Sequence, residues 1–385
     1  MASDPRALLI RAAAGPTGPL PMARVVARAA ALRRRRRATV VACVAALMVA
    51  GSLAAAQDWG TNTAPATPDE SPTPTRSDGV QTYSVEGSPT SVAVGAGSVW
   101  VADWTVSRLD EDTGEVQARI RLPGYPHWLA FEHEHLWAFV EKNGGREEGF
   151  SMALIDPETD EIVATSPLLF DTNVGSAGAN VMTAGDESAW VGFRGKLYRI
   201  SPSDGSSELT VTKLDLPRPF KVADKDSGAY TIAFGGDSVW LAKGNGRIVR
   251  VDPDTGELIG EANLDWNLIG MAGGSASLWV SHATPEGRHQ LIRIGYADGA
   301  VTKMKVDLGM YDQYWQVRVG GSSLWLVRSA KGKNVVELDE ATGREIGRRR
   351  VRVRSFFGTT ASDTALWLDW GEDERGIIMR VPTQR

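Results

Sequence analysis

Cysteine occurs once and histidine five times in 385 residues. A single thiol excludes an intrachain disulfide framework and any cysteine-based zinc site. No G-x-S-x-G elbow, phosphate-binding glycine loop or paired-carboxylate signature stands out, so neither serine hydrolysis nor nucleotide chemistry has a motif to rest on. Acid and base nearly balance, with 42 Lys plus Arg, 47 Asp plus Glu and a net charge of −5. The balance hides an asymmetry. Residues 1–37 carry nine arginines and one aspartate, while the remainder carries 33 basic and 46 acidic residues. Such a division points to two compartments rather than to nucleic acid, and no nucleic-acid partner is expected. Glycine (41) and tryptophan (13) are abundant instead, the composition of a turn-rich all-β chain.

Residues 38–56 carry no charge. At about 1.5 Å per residue this stretch spans roughly 28 Å as a helix, close to the thickness of a bilayer core. Arg33 to Arg37 abut its start, and positive charge stays cytoplasmic. The expectation is a basic cytoplasmic tail (1–37), a single transmembrane helix (38–56) in the plasma membrane with its N-terminus inside, and the rest outside the cell. The alternative is a signal peptide, because Ala54-Ala55-Ala56 makes an A-x-A site; cleavage before Gln57 would secrete the remainder. Val40-Val41-Ala42-Cys43 loosely fits a lipobox, but the apolar run continues past Cys43, so a membrane-buried thiol is expected there. Residues 57–79 are rich in Thr, Pro, Ser and Asp and read as a disordered, extended spacer.

Residues 80–385 repeat. Ser98-Val99-Trp100-Val101 recurs around Trp137, Trp190, Trp240, Trp279, Trp325 and Trp367, at intervals of 37 to 53 residues. A second signature follows most of these tryptophans: Arg250-Val251-Asp252-Pro253-Asp254-Thr255-Gly256-Glu257, with relatives beginning at Arg108, Asp156, Arg199, Arg293 and Asp339. Each unit reads as four short strands. In the fourth, Tyr230 to Phe234 is strand A, Ser238 to Ala242 strand B, Arg247 to Val251 strand C and Glu257 to Asn263 strand D. The Asp-Pro-x-Thr-Gly segment between C and D is a turn in which proline presets φ and glycine takes the positive-φ position. Four-stranded units of this length cannot bury their faces alone and form a β-propeller. The seventh unit has strand A near Phe357 to Thr360, B at Ala365 to Asp369 and C at Gly376 to Val381, but no strand D. Val80 to Val85, just before the first unit, is free to supply it and close a seven-bladed ring. The repeated tryptophans are expected to fill the wedges between blades.

These motifs, S-V-W-V and D-P-x-T-G-E, resemble those of YVTN-type and quinoprotein-like propeller repeats of bacterial surface proteins. The resemblance covers residues 80–385 and implies the fold. It implies no cofactor: the quinone dehydrogenases carry tryptophan after the Asp-Thr-Gly turn and a vicinal cysteine pair, whereas here tryptophan precedes the turn. Virginiamycin B lyase shares the seven-bladed fold, but no compact His/Glu cluster matching its metal-dependent site is apparent. The basic tail also resembles those of actinobacterial membrane proteins associated with alternative sigma factors.

In a propeller the D-to-A and B-to-C loops share one rim, and the repeated A-to-B and C-to-D turns occupy the other. The irregular rim is where binding residues usually sit. Five tryptophans outside the repeat fall there: Trp104, Trp128, Trp266, Trp315 and Trp370. Tyr125, Phe150, Phe193, Phe220, Tyr230, Tyr311, Tyr314 and Phe356 join them. Trp104, Tyr125, His127, Trp128, Trp266, Tyr314, Trp315 and Trp370 are the candidate ligand-binding set. Aromatic faces with a polar edge suit sugars, peptide side chains and cations; packing beneath long loops is the structural reading of the same residues. His133-Glu134-His135 sits in a scaffold turn, where two alternating positions lack a converging third ligand. His127, His282 and His289 are expected on the variable rim in different blades, and with Glu286 they would make a site only if the loops converge. Asp252-x-Asp254-x-Gly256 fits a turn better than a calcium loop. Arg348 to Arg350, with Arg352 and Arg354, read as a charge-protected outer edge. The first functional expectation is a membrane-anchored module binding an extracellular glycan, peptide or protein, without catalytic residues, metal or cofactor. A lyase or hydrolase in the same funnel, and a membrane signalling partner of an alternative sigma factor, are the alternatives.

Overall fold

The computed structural model describes residues 64–65, 75–77 and 79–384, with breaks at 143–148, 171–181, 194–195, 204–205, 217–230, 243–245, 265–267, 310–314, 329–333, 352–357 and 373–374. The expected tail, membrane helix, cleavage site and Cys43 lie outside these residues.

The described strands form seven antiparallel sheets, each of four or five strands. Alternating apolar residues with β-branched enrichment dictate strands, and the Gly- and Asp-rich punctuation dictates tight turns between them. Blade four shows the correspondence: strands Thr231–Phe234, Val239–Ala242, Arg247–Val251 and Leu258–Asn263 pair in sequence order. The innermost strands of blades one to seven are Ser91–Gly95, Tyr125–Glu132, Met182–Gly185, Thr231–Phe234, Leu268–Gly273, Gln316–Gly320 and Thr359–Ala361.

The ring closes as the missing strand requires. Val80–Glu86 pairs with the last strand, Arg375–Pro382, in a register that places Thr82 opposite Met379 and Val85 opposite Gly376. Two short segments of the presumed spacer extend the outer edges. Thr75–Ser77 pairs with Val80–Glu86, and Ala64–Pro65 pairs with the outer strand of blade one, Val116–Ile120. Ladder hydrogen bonds need no apolar side chains, so a Pro/Thr/Ser stretch can join a sheet edge that its composition would not lead it to seek.

Each repeat tryptophan sits between two blades. Trp100 packs on Leu136, Ala138 and Ile155 of the next blade, Trp190 on Ile232 and Leu241, and Trp367 on Val92, Val99 and Leu109 across the closure. None of the seven is more than 3% exposed. The indole N–H of Trp100, Trp190 and Trp240 donates to the carbonyl of Gly95, Gly185 and Gly235 at 3.0–3.2 Å. An arginine completes the unit. Arg108, Arg199, Arg250 and Arg293 lie over the indoles of Trp100, Trp190, Trp240 and Trp279, with Cζ 5.2–5.8 Å from the ring centre. Their Nε donates to Ser98, Ser188, Ser238 and Ser277 on strand B. Their Nη1 donates to a backbone carbonyl of the following blade: Pro157, Pro253, Tyr296 and Ala341. One side chain thus ties its own blade to the next.

The C-to-D turns are held by their aspartates. Asp252 Oδ1 accepts the amides of Asp254 and Thr255 and the Thr255 hydroxyl, and Asp110 does the same for Asp112 and Thr113. These hydrogen bonds, with the Thr113 amide contributing most, hold the Asp110 carboxyl below its ordinary value. Gly114, Gly256 and Gly343 take φ near +70°, at 73°, 71° and 68°. A Cβ on Gly114 would fall 2.0 Å from the Tyr83 ring, so positive φ and close approach both require glycine there.

Candidate functional site

Trp104 stands in the B-to-C loop of blade one, between Ser98–Ala102 and Val106–Asp110. It is 75% exposed, the most exposed of the large apolar side chains among the described residues. The innermost strand of blade two begins beside it and carries Tyr125, His127 and Trp128. Trp104 meets the Tyr125 ring edge-on, with centroids 5.2 Å apart, and Tyr125 meets His127 at 5.1 Å. The His127 ring then contacts Trp128 at 5.5 Å and Phe150 at 5.6 Å. Behind these, Phe139, Phe170, Phe193 and Tyr198 continue the aromatic contact into blade three. The exposed indole therefore stands at the end of a continuous, packed aromatic support.

The site's polar groups come from the same strands. His127 Nε2 lies 2.5 Å from Glu141 Oε2, across the pair of strands that puts Tyr125 opposite Glu141. A register irregularity between Pro126 and Trp128 falls at His127. Such bulges re-aim side chains at the ends of strands. Asp103, beside Trp104, accepts the Ser88 amide at 3.3 Å. Burial raises the Asp103 carboxyl above its ordinary value. Burial also raises the Tyr125 phenol, helped by the charges of Asp103 and Glu141, so the phenol stays protonated and available as a donor at neutral pH. The arrangement offers a stacking face, a phenolic hydroxyl and two carboxylates at an open rim. Among the described residues no serine or cysteine is hydrogen-bonded to His127.

The structure brings together four of the eight candidate residues: Trp104, Tyr125, His127 and Trp128. Trp104 is exposed and the other three are half-buried. Trp315 has to be corrected. It is 1% exposed, donates its indole N–H to the Leu308 carbonyl at 3.1 Å and belongs to the cluster between blades five and six. Its position at the mouth of a strand misled because an indole can fold back beneath its own D-to-A loop. Phe150 is likewise buried. Trp266, Tyr314, Phe220, Tyr230, Tyr311 and Phe356, and the side chain of Trp370, lie outside the described residues. Asp103 and Glu141 were not foreseen as site residues, although Asp103 next to Trp104 in a loop was the available signal.

The remaining motifs resolve as scaffold or stay apart. His133 occupies the tight turn between strands A and B of blade two with φ 55° and contacts the neighbouring Glu132. His282 and His289 are not in different blades: both are buried in blade five, where Ala283 pairs with His289 and His282 with Gln290 on adjacent strands. His289 and Glu286 line a pocket of about 580 Å³ with Arg288, Lys303 and Lys305. His127 is not among its lining residues, and among the described residues no three of His, Cys, Asp or Glu converge as metal ligands. Arg348 makes a two-pronged contact with Glu345 at 2.7 Å on the outer strand of blade six.

No protein-family profile matches this chain, and no curated protein sequence matches it. Solved structures do. The β-propeller domain of Cps50 (Swd1) from Myceliophteria thermophila aligns with a TM-score of 0.56 at 12% identity, covering 77% of this chain and 98% of that one. Hydrazine synthase from Kuenenia stuttgartiensis aligns at 0.56 and 12%, covering 80% and 97%. The WD40 domain of Neurospora crassa Pan2 aligns at 0.54 and 9%, covering 78% and 90%. At these identities the likeness is one of fold.

Proposed function

We propose that this chain is a membrane-anchored interaction module, related to the YVTN-type surface propellers, that holds its ring outside the cell and binds a glycan, peptide or protein partner through the rim of blades one and two. β-Propeller domains commonly serve protein interaction. The observation that carries the reading is Trp104, an indole 75% exposed and backed by Tyr125 and His127. A large aromatic side chain in water on a rigid support is poised to bury area against a partner at little entropic cost. Its neighbours Asp103, Tyr125 and Glu141 supply the polar edges that give such contacts direction.

Isolated cell wall, with its glycan strands and peptide stems, is the probe. Full-length protein should co-sediment with it, and Trp104→Ala should weaken that binding by about 2 kcal/mol or more while melting with the parent. Equal retention of the variant and the parent would remove the rim from the function. Location is tested separately: protease added to intact cells should degrade residues 80–385 and spare the basic tail.

A further inference from the structure

The seven innermost strands surround a central lumen of about 330 Å³. Each is the terminal strand of its sheet, so its free edge of N–H and C=O groups borders the lumen. Most of the residues that line it are small or apolar, among them Ala93, Ala130, Ala233 and Thr360. Among the described lining residues one is charged: Arg318, in the middle of blade six's inner strand Gln316–Gly320.

Arg318 is bound entirely by neutral acceptors. Its Nε donates to the Thr359 carbonyl at 2.7 Å, its Nη1 to the Val317 carbonyl at 2.7 Å and its Nη2 to Gln316 Oε1 at 3.2 Å. A guanidinium has five N–H donors, so these three bonds leave a donor on each Nη without an acceptor among the described residues. Arg318 is half-buried and lines the lumen, so part of its surface remains accessible. Burial lowers its pKa to about 10, which still leaves it charged at neutral pH. The acid whose charge it feels is Asp369, and the two form no ion pair; Asp369 Oδ1 accepts the Gly358 amide at 2.6 Å instead. A buried cation without a contacting counter-charge is costly, and a charge-assisted partner offsets that cost.

The structure assigns a second ligand site to this lumen: we propose that Arg318, with the free amide edges of the inner strands, binds one small oxyanion, a carboxylate or a phosphate. The volume suits a small free molecule and not a macromolecular segment. Trp128 of the aromatic cluster borders the same lumen, but Arg318 belongs to blade six and the exposed Trp104, which carries the rim reading, to blade one and is not among the lumen's lining residues.

Titration calorimetry on the full-length protein tests this, with inorganic phosphate and acetate as separate probes and chloride as the control for ionic strength. Saturable binding of phosphate or acetate is expected, and the tighter of the two identifies the oxyanion geometry. Arg318→Gln should weaken it at least about tenfold. Thr360→Glu, which builds a carboxylate into the lumen wall, should abolish it; this variant carries the test if Arg318→Gln fails to fold. Arg348→Gln, on the outer edge, should bind as the parent does. Absence of saturable heat from both anions would mean a water-filled lumen and overturn the proposal, as would undiminished binding by either lumen variant.

Discussion

Two tryptophans with the same sequence credentials have opposite surroundings. Trp104 and Trp315 both lie outside the repeat motif and both border the irregular rim, yet one is 75% and the other 1% exposed. Trp315→Ala should cost about 3–5 kcal/mol through lost packing against Leu308, Val317 and Leu326. Trp104→Ala should stay within about 0.5 kcal/mol of the parent in a urea melt. If Trp104→Ala unfolds as readily as Trp315→Ala, the rim indole is part of the core. The paired stability measurement thus separates a binding surface from a packing residue at single-residue resolution.

Within a blade, two recurring devices carry the repeat. The arginine over each tryptophan acts on two blades at once, so Arg250→Met should destabilise by about 1–3 kcal/mol, because the Ser238 hydroxyl and the Tyr296 carbonyl both lose a donor. Arg250→Lys should recover only part of this, since an ammonium cannot reproduce the fork. The C-to-D turn is the second device. Asp110→Ala should cost about 1 kcal/mol, a modest value because the carboxylate is largely solvated. The sign of its pH dependence follows from a folded pKa below the unfolded 3.8: the stabilisation is present above 3.8 and lost as pH falls through the lowered value. Urea midpoints measured between neutral and acid pH should show this loss in the parent and a weaker one in Asp110→Ala.

For the whole ring, stability depends on a pairing between residues almost 300 positions apart. Deleting residues 80–86 removes the outer neighbour of Arg375–Pro382 and the Tyr83 ring that packs over Gly114 and against Trp367. The truncated protein should melt well below the parent and aggregate through the exposed strand edge, detectable by light scattering. A truncated ring that melts with the parent would mean that the seven wedge cores alone hold the ends together.

The sequence by itself determined the repeat unit, the number of blades and the strand that closes the ring. These depend on short-range pattern: alternation along a strand, proline and glycine in the C-to-D turn, and one tryptophan per unit. A four-stranded unit with two apolar faces has few other ways to bury them. The repeated arginine was also legible as a signature, but its role was not, because its acceptor lies in the following blade. The same limit applied at both candidate sites. His127 meets Glu141 through strand pairing, and Trp104 meets Tyr125 across a blade boundary. Arg318 reads in sequence as an ordinary charge in a strand; only the closed ring turns its position inward, onto an axis that no local pattern encodes. Whether an indole lies over its loop or under it is likewise decided by the packing of neighbouring blades, and that is why tertiary structure alone distinguished Trp104 from Trp315.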